Sequence, residues 1–491
     1  MSFHHATLNA SLTPVEISTS PGILQYRNIK YASIPERFAQ SVPINDWNGA
    51  AIGSEKHGPR CPQLPADCNT LFRIPPESVP NWGEDEDELE CLNLHVTVPE
   101  GVKEGDNVPV LMWIYGGSFV VTVGSAESGV CDPTKLVATS IEAGTPIIYV
   151  AMNYRLNALG FAHISEEKTN FGLFDQKHAI EWLHRHIRGF GGDPNNITLA
   201  GESAGSISTH MHTLSSHSSL LQRIILQSGT ANTIPAASPA IGDTIVSALL
   251  THLSLPSISD LRKIPVTDLL RAQRDLKMGT LPPISTGSFW QQNPTQKPWS
   301  GDVLIGDNAK EWSLYTTSIL SLSQPRSIFP LLPQSEEILA IYGDTHEGVL
   351  RFVGDGKFHL HTENFYREFL ERTEGETWRY LFDARNPFAP KAGAHHGVEL
   401  LYLFGGFEMP EERLERVGRE MRGVWVKFVV GEKLWEKGKV LLVTDEEVKV
   451  VGKEEVGRRR NEREWKALNQ IGWEKVAPVL WEVVNGRIRF E

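Results

Sequence analysis

The chain has 491 residues, 40% of them hydrophobic and 22% charged, with 42 glycines, 30 prolines and 4 cysteines. This is the make-up of a globular protein with ample core, and it excludes a disordered, fibrous or disulfide-framework chain. A formal net charge of -13 argues against nucleic acid or an anionic membrane as the main partner, and no stretch has the length and apolarity of a membrane span.

The first residues, Met1-Ser2-Phe3-His4-His5-Ala6-Thr7, carry neither a basic n-region nor an apolar h-region. They read as lacking a secretory signal, which makes the cytoplasm the expected compartment. Residues 1–100 alternate short strand-like runs with Pro and Gly breaks, as in Ile23-Leu24-Gln25-Tyr26 and in the run from Leu92 to Val98. Near-continuous apolar runs follow, from Val108 to Tyr115 and from Pro146 to Met152, and such runs suit central strands covered on both faces. Between Gln176 and Ile187, the residues Ala179, Ile180, Leu183 and Ile187 recur at helical spacing, with Asp175 placed as an N-cap. Ile197-Thr198-Leu199-Ala200 reads as a strand, and Ile224 to Ser228 as the next, with room for a helix between them. That β-α-β order predicts an α/β fold with a doubly wound sheet. A single domain spanning 1–491 is the expectation, because large α/β enzymes often build one continuous sheet. Residues 231–300 are richer in Ser, Pro and helical leucine patterns and are expected to form a helical cap over that sheet. Leu400 to Trp435 is again helical in period, and Asp445 to Trp465, dense in both charge signs, reads as a solvated, partly helical surface.

Gly201-Glu202-Ser203-Ala204-Gly205 sits between the strand ending at Ala200 and the stretch that can begin a helix. In a strand, G-x-S-x-G, helix arrangement a sharp turn lifts a serine hydroxyl above the end of a sheet. The flanking glycines allow backbone segments to approach more closely than a Cβ permits. A serine that attacks esters also needs donors for the oxyanion. Trp113-Ile114-Tyr115-Gly116-Gly117-Ser118-Phe119 follows a buried strand and supplies small residues whose N–H groups can point into a pocket. It resembles the loop after the third strand of α/β-hydrolases, which would make Gly117, Ser118 and Ala204 the donors.

Further motifs share one source. They are Gly58-Pro59-Arg60-Cys61-Pro62-Gln63, Glu90-Cys91-Leu92-Asn93-Leu94, Asn153-Tyr154-Arg155-Leu156, and Asn170-Phe171-Gly172-Leu173-Phe174-Asp175-Gln176. Phe190-Gly191-Gly192-Asp193-Pro194 then leads towards the serine turn. In this order they resemble the type B carboxylesterase/lipase family, the cholinesterase-like branch of the α/β-hydrolases, over nearly the whole chain. The compact length and missing signal resemble intracellular fungal members. The resemblance implies an α/β-hydrolase fold, with a large, mostly parallel central sheet flanked by helices and carrying helical cap insertions.

It also implies a histidine in a His-Gly-x-Glu segment, here His396-Gly397-Val398-Glu399 before Tyr402-Leu403-Phe404-Gly405. A general base must titrate near neutrality, as histidine does unperturbed. His395 is adjacent, but the glycine after His396 favours His396. Two acids compete. Glu311 follows the strand-like Asp302 to Ile305 and Gly306-Asp307, where the family places its acid, although Trp312 stands where a glycine is usual. Glu347 belongs to a Glu-Gly pair but follows what reads as a helix end, too near His396 for the family segments Gly354 to Phe358 and Thr377 to Phe382 to lie beyond an acid there. Glu311 is the preferred acid and Glu347 the alternative.

The resemblance also pairs Cys61 with Cys91 as a possible disulfide and sets Trp82 within that loop, near the substrate gorge. Phe289 and Trp290 are candidates for the acyl side, and Glu202 for an electrostatic influence on the histidine. The expected activity is carboxylic-ester hydrolysis through an acyl-enzyme on Ser203, acting on a small-molecule ester. No metal or organic cofactor is expected, because serine, base and fixed dipoles cover the chemistry. An acyltransferase, thioesterase or lactonising enzyme would use the same triad. A non-catalytic, cholinesterase-like adhesion protein would usually lack the serine or histidine.

Overall fold

The apolar runs do become the middle of an 11-stranded sheet. The computed structural model describes residues 2–17, 22–54, 56–65, 71–78, 85–123, 128–290, 297–316, 319, 329, 332 and 335–484. The strands in chain order are β1 (Val15–Ile17), β2 (Ile23–Lys30), β3 (Asn93–Pro99), β4 (Val108–Ile114), β5 (Ile148–Met152) and β6 (Gly192–Glu202). They continue with β7 (Arg223–Gln227), β8 (Asp302–Asn308), β9 (Thr377–Phe382), β10 (Val440–Val443) and β11 (Val448–Val451). Across the sheet the order is β11-β10-β9-β8-β7-β6-β4-β5-β3-β2-β1. Strands from β5 through β10 run parallel, while β1, β2, β3 and β11 join antiparallel at the two ends.

Alternate residues of β4 serve different cores. Val110, Met112 and Ile114 pack with one hydrophobic cluster and Leu111 and Trp113 with the other. That is why the run is apolar throughout: successive side chains leave a strand on opposite faces, and helices cover both.

Helix α1 spans Phe171–His186, so it starts ahead of the predicted N-cap. Asp175 lies inside the helix, and its carboxylate accepts from Arg155 Nε at 2.8 Å, Arg155 Nη2 at 2.8 Å and Ser41 Oγ at 2.6 Å. A buried guanidinium, not a helix end, fixes this aspartate. Removing either partner would leave a buried charge at a cost of about 3–5 kcal/mol. The helix is entered instead through Asn170, in left-handed conformation at φ 54°, whose side chain holds both backbone polar groups of Ile284.

Helix α2 (Ala204–Thr213) follows β6 directly. Between residues 231 and 300 lie α3 (Pro239–His252), a short turn of helix at Ile258–Leu261, and α4 (Val266–Asp275). Val246, Leu249, Leu261 and Leu269 from this region join the cluster that holds Val110, Met112 and Ile114 of β4. Towards the C-terminus, α5 (His346–Gly354) runs through a π-helical turn (Asp355–His359) into α6 (Leu360–Leu370), and α7 (Glu399–Phe404) and α8 (Glu412–Val429) cover the other face.

The charge-dense segment is less solvated than its composition suggests. It supplies strand β11, and Arg460 is only 1% exposed, its guanidinium bound to Asp383 Oδ1 at 2.8 Å and the Asp307 carbonyl at 3.0 Å. Charge density alone could not distinguish a surface arginine from one paired beneath the sheet edge.

Candidate active site

One residue turns the chain from β6 into α2. Ser203 adopts φ 54°, ψ -122°, a region that residues with side chains avoid and that clusters at functional sites. The turn is held by the Ser203 N–H, which donates to the Gln227 carbonyl of β7 at 2.9 Å. A Cβ on Gly205 would lie 2.0 Å from the Ile114 carbonyl oxygen, so only glycine lets α2 start this close to β4. Ser203 opens onto a cavity of about 200 Å³ whose walls include Leu71, Phe72, Val121 and Leu314, together with Gly117, Ser118, Glu202 and His396.

The loop after β4 supplies the opposite wall. Gly117 has φ 117°, and a Cβ there would meet the Val121 carbonyl oxygen at 1.9 Å. Its carbonyl accepts from the N–H groups of Val120 and Val121 at 3.0 and 3.1 Å, which closes the turn. Gln63 accepts from Thr122 N–H at 2.6 Å, and Asn157 N–H donates to the Phe119 carbonyl at 2.7 Å. The Pro62-Gln63 and Asn157 segments thus brace this loop. Among the described residues, the N–H groups of Gly117, Ser118 and Ala204 donate to no backbone carbonyl. Gly117 and Ser118 both border the Ser203 cavity.

The two neighbouring histidines separate cleanly. His395 Nε2 accepts from Asn386 Nδ2 at 2.8 Å and its Nδ1 donates to the His396 carbonyl at 2.9 Å, so this ring braces the loop. Burial lowers its pKa to about 4. Beside it, His396 faces the cavity. Its Nδ1 lies 2.5 Å from Glu311 Oε2, its N–H donates to Ser313 Oγ at 3.1 Å, and the Phe358 ring packs 4.9 Å from its own. The Glu311 contact assigns the proton to Nδ1 and leaves Nε2 on the other edge of the ring.

Glu311 is fully buried. Its Oε1 accepts from Ser228 Oγ at 2.6 Å and Asn308 N–H at 2.7 Å. Glu347, by contrast, is exposed in the first turn of α5. Two more buried carboxyls surround the ring. Glu202 Oε1 is 3.0 Å from His396 Nε2, and Glu399, which accepts from Asn308 Nδ2, lies close enough to add to the field. Burial would lower the His396 pKa, but Glu202, Glu311 and Glu399 outweigh it and push it up to about 9. Burial first, and then the neighbouring Glu399 and Glu311, push Glu202 up to about 8, against the pull of His396. Glu399 stands in the His-Gly-x-Glu segment, but its role escaped the sequence reading because motif position says nothing of what a side chain faces. Ser228 and Asn308, isolated polar residues at strand ends, carried no signal.

Other expected residues lie elsewhere. Phe289 is buried 5.9 Å from Phe174, 5.5 Å from His212 and 5.8 Å from His217, a core position rather than a cavity wall. The Trp290 indole donates to the Ile284 carbonyl at 2.6 Å, and neither ring borders the Ser203 cavity. An adjacent aromatic pair looks the same in sequence whether it lines a pocket or closes a core. Trp82 lies outside the described residues. Cys61 and Cys91 stand as buried free thiols, and the hydrogen bond with Cys61, together with burial, holds the Cys91 thiol well above its ordinary range.

A largely parallel sheet in this strand order, with a strained serine between a central strand and its helix, defines an α/β-hydrolase. Residues 13–327 match the model of the carboxylesterase family. The chain is 31% identical to Lipase 3 of Yarrowia lipolytica, over 88% of this chain and 89% of that one. It is 26% identical to the para-nitrobenzyl esterase of Bacillus subtilis, over 86% and 89%. The solved structure of a thermophilic PNB esterase superposes with a TM-score of 0.74 at 24% identity, covering 93% of this chain and 99% of that one, which shows the shared fold. The protein belongs to the type B carboxylesterase/lipase family and is a carboxylesterase, with small-molecule esters as its substrates. Among the described residues no helix is long and apolar enough to cross a membrane.

Proposed function

We propose that the ester is cleaved in two acyl-transfer steps on Ser203. His396 takes the hydroxyl proton through Nε2 as Ser203 Oγ attacks the carbonyl carbon. Glu311 keeps the ring in the Nδ1–H form and stabilises the imidazolium that results. The N–H groups of Gly117, Ser118 and Ala204 receive the oxyanion as fixed dipoles, which need no reorganisation at the moment of reaction. His396 then returns the proton to the leaving alcohol. A water, deprotonated by the same ring, attacks the acyl carbon; the bond to Ser203 Oγ breaks, the acid leaves, and the proton on His396 returns to Oγ.

The observation that carries this reading is the 2.5 Å contact between Glu311 Oε2 and His396 Nδ1, on a histidine that shares its cavity with Ser203. The test is Ser203→Ala, measured for hydrolysis of p-nitrophenyl esters and for labelling by a fluorophosphonate. The expected result is a fall in kcat of roughly 10⁴–10⁶-fold with loss of the label. Retained hydrolysis by the folded variant would overturn the assignment.

A further inference from the structure

Asn308 closes strand β8 and is fully buried, yet it does not border the Ser203 cavity. Its backbone N–H donates to Glu311 Oε1 at 2.7 Å. Its side-chain nitrogen donates to the His395 carbonyl at 3.1 Å and also to Glu399 Oε2. Its carbonyl accepts from His359 Nε2 at 3.1 Å. His359 belongs to the π-helical turn that also carries Phe358, the ring packed on His396. A single amide residue thus bonds the acid, the histidine loop, the carboxyl at the start of α7 and the turn behind the imidazole.

These groups come from three stretches of the chain, around residues 311, 359 and 395–399, which nothing in the sequence order holds together. A buried amide that gives both hydrogens to two such acceptors fixes one relative to the other, since an unpaired polar group there is strongly disfavoured. π-helical turns within helices occur frequently at functional sites. Here the turn delivers Phe358 to the ring and His359 to Asn308.

We propose that Asn308 is a positioning residue for the Ser203 reaction, holding the Glu311 loop and the His396 loop in mutual register through its backbone and side-chain donors. This rests on the reading of Ser203, His396 and Glu311 given above. Asn308 touches no reacting atom. Its contribution is to keep Nδ1 of His396 and Oε2 of Glu311 within hydrogen-bond distance while the ring gains and loses a proton.

The discriminating variant is Asn308→Asp, which keeps the shape of the side chain. Ionised, it has no hydrogen for the His395 carbonyl or Glu399. Protonated, it regains one. The titratable groups facing this position are Glu311 from the following turn, Glu399 from α7, His395 from the histidine loop, and His359 with Asp355 behind it. The adjoining Asp307 is paired with Arg379 and Arg460. All are common to both proteins, so the ratio of variant to wild-type activity isolates position 308.

The expected result is a kcat about 10–100-fold below wild type at pH 8–9, with KM within about twofold, because small misplacements of catalytic groups carry penalties of that size. The ratio should recover as pH falls towards 6. Asn308→Leu, without donors at any pH, should lose kcat without that recovery. A variant that loses thermal stability but keeps wild-type kcat and pH profile would overturn the proposal. If Asn308→Asp does not fold, Asn308→Ser, which retains one donor, takes its place: reduced kcat at unchanged KM sustains the proposal and unchanged kcat overturns it. Ser203→Ala is run alongside. If that variant still hydrolyses ester, the serine reading fails; if it is inactive while Asn308→Asp matches wild type, the positioning role alone fails.

Discussion

Glu202 Oε1 stands 3.0 Å from His396 Nε2, on the opposite edge of the imidazole from Glu311, in an approach that lacks hydrogen-bond alignment. A carboxyl therefore flanks each ring nitrogen. The general base must be neutral to accept the serine proton, so activity rises with pH as the ring deprotonates. Burial works against the ring's charge, but attraction to Glu202, Glu311 and Glu399 prevails and holds its pKa near about 9. Glu202→Gln removes one of these attractions without changing the side-chain shape, so the ring should lose its proton more readily. The acid limb of the kcat/KM profile is expected to move down by about one pH unit. A limb that stays in place or moves up would show that Glu202 does not act on the ring.

The two candidate acids predict opposite mutational outcomes. Glu311→Gln keeps the volume but removes the charge that stabilises the imidazolium, and kcat should fall by about 10³–10⁴-fold. Glu347→Gln changes an exposed side chain in the first turn of α5 and should leave kcat within about twofold. Steady-state kinetics on the two purified variants distinguishes them, and equal losses would contradict the placement of Glu311.

What the sequence made legible here was what backbone geometry demands. The G-x-S-x-G turn and the Gly116-Gly117 loop are visible because a Cβ at Gly205 or Gly117 would strike a carbonyl oxygen. Central strands are visible because β4 must be apolar on both faces. Side-chain destinations were not legible. Asp175 fits a helix N-cap as well as it fits a buried arginine, and Phe289 is as apolar in a core as on a pocket wall. Asn308 has no periodicity or spacing to betray it, since its importance lies in partners gathered from three stretches of the chain.

The cavity bears on substrate size. Its volume of about 200 Å³ accommodates a short acyl group. Leu71, Phe72, Val120, Val121, Val123 and Leu314 give it apolar walls. Burying each methylene of an acyl chain contributes about 0.8 kcal/mol while the walls cover it, and a longer chain runs out through the open side of the cavity, where it gains no further burial. Across p-nitrophenyl acetate, butyrate, octanoate and palmitate, kcat/KM is expected to rise to butyrate and to gain nothing further between octanoate and palmitate. A steady rise through palmitate would refute the size limit.

Acid should unfold this protein well above the ordinary carboxylate range near pH 4. Burial, the leading cause in each case, holds His5, His186 and His395 at about 4 and His210, His217 and His361 at about 3. These folded values lie below the ordinary 6.5, so between pH 6.5 and the folded values the unfolded chain binds more protons and stability falls as pH falls. Each of the deeply buried His210, His217 and His361 contributes a slope of about 1.4 kcal/mol per pH unit in that window. His396, raised to about 9, acts in the opposite sense above this window, its contribution complete below 6.5 and lost as pH rises through about 9. Within the window Glu202 and Glu399, raised by burial to about 8 and about 7, favour the folded state as pH falls but are outnumbered by the histidines. Native proteins hold only about 5–15 kcal/mol in total, so Tm should drop steeply between pH 6.5 and 5. His361 packs edge-on to Trp473 at 4.2 Å with a buried Nε2 that makes no hydrogen bond among the described residues. His361→Phe keeps the ring contact and removes the proton site, and it should narrow the Tm difference between pH 7 and pH 5. A wild-type Tm that is flat over this range would mean that the buried histidines find water or a counter-charge as readily in the folded protein as in the unfolded chain.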